Sequence, residues 1–164
     1  KTGAGEGVAE AKSGPSQFDK ELEKARDKQK VELPPEVKEV SAADKQQMVK
    51  DMAARVQQNP NATPQQMFGA DLHHLKGRLN ELIQKVDGVK GAPGMDGVTN
   101  RLQKIGDAYD QTMGLVQNMQ SISDPRALIQ IQMQMHNLTQ NIEMVTKVVD
   151  QAAQGLKSTL QTQV

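Results

Sequence analysis

The residues best equipped for chemistry are Asp71, His73 and His74, and their spacing is wrong for it. Two zinc ligands on one helix stand four residues apart, as in H-E-x-x-H. Here Gly77 and Arg78 fill the places a second histidine would need. Asp71 and His74 share a face three apart, but no third ligand joins them, so the cluster reads as a solvated helix face. His136 lies alone among Gln and Met and reads as a polar residue at a helix contact. Met133, Met135 and Met144 lack the Cys or His company of a soft-metal site, and read as packing. No Gly-x-Ser-x-Gly or Ser-x-x-Lys stands beside a base. Gly3-Ala4-Gly5-Glu6-Gly7 precedes no strand, so it is not a phosphate loop. Asn61-Ala62-Thr63 is a formal glycosylation sequon, but Thr63 has a better use as a helix cap. The expectation is a non-enzyme with no catalytic residue, metal, cofactor or small-molecule substrate.

Composition narrows the class further. The 164 residues suffice for one domain, or a small domain with a tail. Apolar residues make up 36%, and the aromatics are Phe18, Phe68 and Tyr109 alone. A thick core normally leans on aromatic area, so elongated helical assembly is expected instead of a globule. Basic and acidic residues balance at 20 each, with no basic stripe for nucleic acid. Cysteine is absent, which excludes disulfides. No apolar run reaches the roughly 18–20 residues that span a bilayer.

Four elements would have to position anything functional. Residues 1–40 read as a mostly disordered N-terminal segment, with a marginal charged helix near Phe18, Leu22 and Ala25 and an extended stretch at Leu33-Pro34-Pro35. Residues 41–87 read as a helical insertion. Ser41 to Asp44 signals a cap before a helix to about Gln58 that carries Met48, Met52 and Val56. Asn59-Pro60-Asn61 breaks it, and Thr63-Pro64-Gln65-Gln66 opens another as a capping box. Phe68, Leu72, Leu75, Leu79, Leu82 and Val86 then form a heptad seam that stops at Gly88. Residues 88–97, with Gly88, Gly91, Pro93, Gly94 and Gly97, read as a flexible Gly/Pro linker.

Residues 98–164 read as a helical hairpin and assembly module. Val98, Leu102, Ile105, Tyr109, Val116 and Met119 stripe the first arm. Asp124 caps the second, and Pro125 suits its first turn. Along that arm Leu128, Ile131, Met135, Leu138, Ile142, Val145, Val149 and Leu156 recur at threes and fours, the repeat of a helix pressed against others along its length. The first arm is too short to cover it all. Charge also thins out here in favour of Gln, Asn, Ser and Thr, which are buried between subunits at lower cost than ions. The stripe is therefore expected to be the self-assembly interface. The fold class expected is all-α: an elongated hairpin with a long C-terminal amphipathic helix and a partly disordered N-terminal region.

A set of residues in this hairpin resembles a known family. Ser123-Asp124-Pro125-Arg126-Ala127-Leu128, then Gln132, Met133 and Gln134, then Ile142-Glu143-Met144-Val145-Thr146-Lys147-Val148-Val149, then Gln151, Gly155, Leu156 and Leu160, is similar to the inner-rod proteins of bacterial type III secretion systems. Those proteins end in a helix opened by Asp-Pro-x-x-Leu and carry a Glu-x-Val-x-Lys-x-Val patch. Gln17-Phe18-Asp19-Lys20-Glu21-Leu22 looks like a short N-terminal element of some members. The chain departs from them in its length, with Val31 to Gly97 as the apparent insertion.

The resemblance implies a structural subunit that links export apparatus to needle and lines a periplasm-spanning channel. It would be exported through that channel itself, and would partner with its own copies and with export-gate and needle subunits. Two other readings stand beside it. One is a needle or flagellar rod–adaptor subunit. The other is a helical adaptor that docks an amphipathic helix on a partner.

Overall fold

The computed structural model describes residues 32–162, and these form an all-α unit of four helices joined by short turns. Helix α1 is Ala42–Gln58, α2 is Pro64–Asp87, α3 is Met95–Asn118 and α4 is Pro125–Thr162. The marginal helix near Phe18 and the element Gln17 to Leu22 fall outside the described residues.

Local chemistry sets the helix starts. Ser41 holds an extended backbone, and its Oγ accepts the Asp44 N–H at 3.2 Å. Thr63 and Gln66 form the full capping box: Thr63 Oγ1 accepts the Gln66 N–H at 3.1 Å, and Gln66 Oε1 accepts the Thr63 N–H at 3.0 Å. Two orphan amides of α2 are satisfied there. Asp124 Oδ1 accepts the Arg126 N–H at 3.0 Å, with Pro125 as the first helical residue of α4.

The turn between α2 and α3 differs from the expected flexible linker. Val89 and Ala92 in the turn, and Met95 directly after it, are buried and belong to the core. Val89 N–H bonds back to Val86 O, and Ala92 N–H to Val89 O. Gly94 closes the turn at φ 84°, a left-handed conformation that a side chain strains against. Helix α3 therefore starts at Met95, ahead of the expected Val98. The glycines bend this segment, and its apolar residues tie it down.

The core runs without a break from Met52 of α1 through Phe68 to Val86, across the turn, and into Val98, Ile105, Tyr109, Leu128 and Val149. Residues 41–87 are thus not a separate module in the fold, since they share one hydrophobic core with residues 98–164. Helix α4 has 38 residues, which at about 1.5 Å each gives roughly 57 Å, and all three other helices pack on it. Arg78 faces Glu143 and Lys85 faces Asp150, each pair seven on from the last, so α2 and α4 run parallel in step. Helix α1 crosses the bundle: Asp44 in its first turn lies near His136 of α4, and Arg55 in its last pairs with Asp71 of α2.

Candidate assembly surface

The stripe on α4 was the expected interface, and the structure puts it in the interior of a single chain. Leu128, Ile131, Met135, Leu138, Ile142, Val145 and Val149 are each at most 4% exposed. Leu156 is half-buried against the same core. Helix α3 is indeed too short to cover α4, but α2 was available for the task. Its seam of Leu72, Leu75, Leu79, Leu82 and Val86 is buried in the same cluster. Two unpaired seams in one chain close on each other at high effective concentration before either meets a second copy. The expectation that α4 lacks a cover within the chain is therefore corrected.

Part of the polar face of α4 is covered too, again from within the chain. Residues 32–40 lie extended along the groove between α3 and α4 as a strap. Asn141 is only 5% exposed and clamps Val37 by both backbone groups. Its Oδ1 accepts the Val37 N–H at 2.8 Å, and its Nδ2 donates to the Val37 carbonyl at 3.1 Å. One turn earlier, Asn137 Nδ2 donates to the Lys38 carbonyl at 3.3 Å. From α3, Arg101 donates to the Pro34 carbonyl at 2.9 Å. Deeper in the groove Thr112, 1% exposed, bonds Gln134 Oε1 at 2.9 Å and the Ala108 carbonyl at 2.8 Å. Sequence reasoning missed Asn137, Asn141 and Arg101 as strap holders. The abundance of amides on α4 was the available signal, and it was read as a contact between subunits.

Asp71 is engaged with Arg55 at 3.4 Å, while His73 and His74 are exposed. No group of three His, Cys, Asp or Glu among the described residues is placed to hold a metal. His136 Nε2 lies 2.9 Å from Gln140 Nε2 and 3.8 Å from Asp44 Oδ2, so it sits where α1 meets α4. No helix among the described residues is long and apolar enough to cross a membrane.

Between α2 and α3, Tyr109 donates its hydroxyl to the Leu72 carbonyl at 3.2 Å. Lys76 caps the ring at 5.2 Å from its centroid. Burial, helped by the neighbouring Asp110 carboxylate, pushes the Tyr109 phenol above its ordinary pKa.

The α3–α4 hairpin, with its Asp124-Pro125 turn, is the segment that coincides with a known pattern. No curated protein and no solved structure matches the chain. Residues 93–162, from the turn before α3 to the last residue of α4, match the family described as type III secretion needle MxiH, YscF, SsaG, EprI, PscF, EscF; the hairpin is thus similar to needle subunits, where its sequence patterns had suggested the inner rod.

Proposed function

We propose that this chain is a non-enzymatic structural subunit of a type III secretion apparatus, assembling with copies of itself. The observation that carries the reading is the coincidence of boundaries. The family match covers residues 93–162, and the fold draws the α3–α4 hairpin within those same limits. The finer reading is the inner rod, with export-gate and needle subunits as neighbours, a place in the periplasm-spanning channel, and export through that channel. It is supported by the Glu143-x-Val145-x-Lys147-x-Val149 patch and the Asp124-Pro125-x-x-Leu128 opening. The match to the needle family favours a second reading, a needle subunit.

The two readings differ in where the protein accumulates. Secretion apparatus is purified from a strain carrying a tagged copy, and the extracellular filaments are sheared off. An inner-rod subunit stays with the membrane-embedded base in a few copies and is scarce in the filaments. A needle subunit is the main component of the filaments. Absence from both fractions, with secretion intact after deletion of the gene, would overturn the proposal.

A further inference from the structure

We infer that residues 32–58, the strap together with α1, form one latch that opens off α4 as a unit while the α2–α3–α4 bundle stays folded. The inference goes beyond the proposed function and does not depend on it. Strap and α1 are consecutive, with Ser41 capping α1 directly after Val40. They meet α4 side by side: Asn137 and Asn141 hold the strap, and the neighbouring His136 faces Asp44 of α1. Residues 59–63 alone lead from the latch into α2, so one hinge suffices to open it.

The latch is held far more weakly than the bundle beneath it. Helix α1 buries Met48 and Met52, against seven residues buried by α2, and its Val49 is 45% exposed. Its pairs Arg55–Asp71 and Asp44–His136 are open to solvent and contribute little. No residue of the strap is fully buried. The corner where strap turns into α1 stands over a hollow of about 420 Å³, bordered by Lys38, Glu39 and Lys45 above and by Gln130 and Met133 of α4 below. The corner thus bridges α4 instead of packing closely on it. Two acceptors of α4, Asn137 Oδ1 and Gln132 Oε1, are buried without a partner among the described residues. Asn137 is bonded to the strap, and Gln132 lies one turn from His136 on the face that meets α1. A buried acceptor without a donor is costly, and opening returns both to water. Segments with few buried apolar contacts are the ones that open locally. A 17-residue helix is marginal alone in water, so α1 unwinds once released. Opening uncovers Gln134, Asn137 and Asn141, all inside the matched stretch 93–162, so the latch controls access to that part of the α3–α4 hairpin.

Native-state hydrogen exchange of the full chain in graded denaturant tests the latch. The amides of α1 and of Val37 should exchange through one opening, with a shared denaturant dependence, well before those of Leu79, Ile105 and Ile142. Asn141→Ala removes bonds to the strap alone, yet it should speed exchange across α1 by about tenfold, as expected for losing a two-bond clamp. The reverse arm ties down α1 alone. The chain has no cysteine, and Asp44 and His136 approach to 3.8 Å, so Asp44→Cys with His136→Cys can be joined by a short thiol cross-linker. Against the same variant before cross-linking, the Val37 amide should then exchange about tenfold more slowly. Exchange of α1 in step with the bundle core would make α1 part of that core and overturn the latch. An α1 indifferent to Asn141→Ala, or a Val37 amide indifferent to the cross-link, would make strap and α1 separate units and overturn it equally.

Discussion

The two flanks of α4 are closed by different physics. On one flank it buries Ile131, Ile142 and Val145 in the core shared with α2 and α3, and what holds there is apolar area and close packing. Toward the strap it presents Asn137 and Asn141, and what holds is a short set of hydrogen bonds to main chain. The first flank tolerates no gap. The second needs a few correctly placed amides, and its occupant is defined by an extended path more than by its side chains. A packed flank is hard to reopen, whereas a strap released by a few bonds can come off while the bundle stays folded. The strap flank is therefore the easier of the two to open.

The largest effect should come from a charge on the packed flank. Val145 is fully buried between helices. Val145→Asp puts a carboxylate there without a counter-ion, at a cost on the order of several kcal/mol, enough to unfold a marginal domain. The isolated variant should lose its cooperative melt, and circular dichroism should show loss of helix. An assembly defect in this variant would then report folding before it reports an interface. A variant that melts like the parent would show that this flank is not core, and the contrast between the flanks would fail.

The strap flank should respond less and more locally. Asn141→Ala removes both bonds to Val37 and costs about 1–3 kcal/mol if the Val37 amide is left unsatisfied. The helices keep their own hydrogen bonds, so helical content should hold while the Val37 amide loses its protection from hydrogen exchange. Global loss of structure would mean that the strap is part of the cooperative core and would erase the distinction.

These two flanks were not equally legible in the sequence. The capping box at Thr63-Gln66, the Asp124-Pro125 start and the end of α2 before Gly88 all follow from local chemistry, and the helices begin and end there. The seams of α2 and α4 were legible as faces that must be buried. Periodicity states that a face is covered, though, and says nothing of what covers it. The α2 seam showed only that it needs a cover, and the structure supplies that cover from the core it shares with α4. The strap had no periodic signal at all, because its bonds run through main chain and join residues 104 apart in sequence. Asn141 itself looked like one more amide among many.

Tyr109 combines both kinds of contact, and it sets the finest test. Its ring is buried between α2 and α3, and its hydroxyl donates to the Leu72 carbonyl. Tyr109→Phe keeps the packing and removes the bond, so it should cost about 0.5–1.5 kcal/mol. The pH dependence separates this from a general loosening. Burial first, and then the Asp110 carboxylate, raise the phenol above its ordinary pKa in the folded chain. The unfolded chain therefore releases this proton first as pH rises. Stability from this group is fully present below the ordinary tyrosine pKa, falls as pH rises beyond it, and is lost once the folded-state pKa is passed. The chain has one Tyr and no Trp, so near-ultraviolet absorbance follows this one phenol. Denaturant titrations in steps through the alkaline range should show the parent losing stability faster than Tyr109→Phe, with the two curves parallel at neutral pH. Parallel curves throughout would mean that the phenol ionises as easily folded as unfolded, and that the contact between α2 and α3 is looser than the packing around Tyr109 indicates.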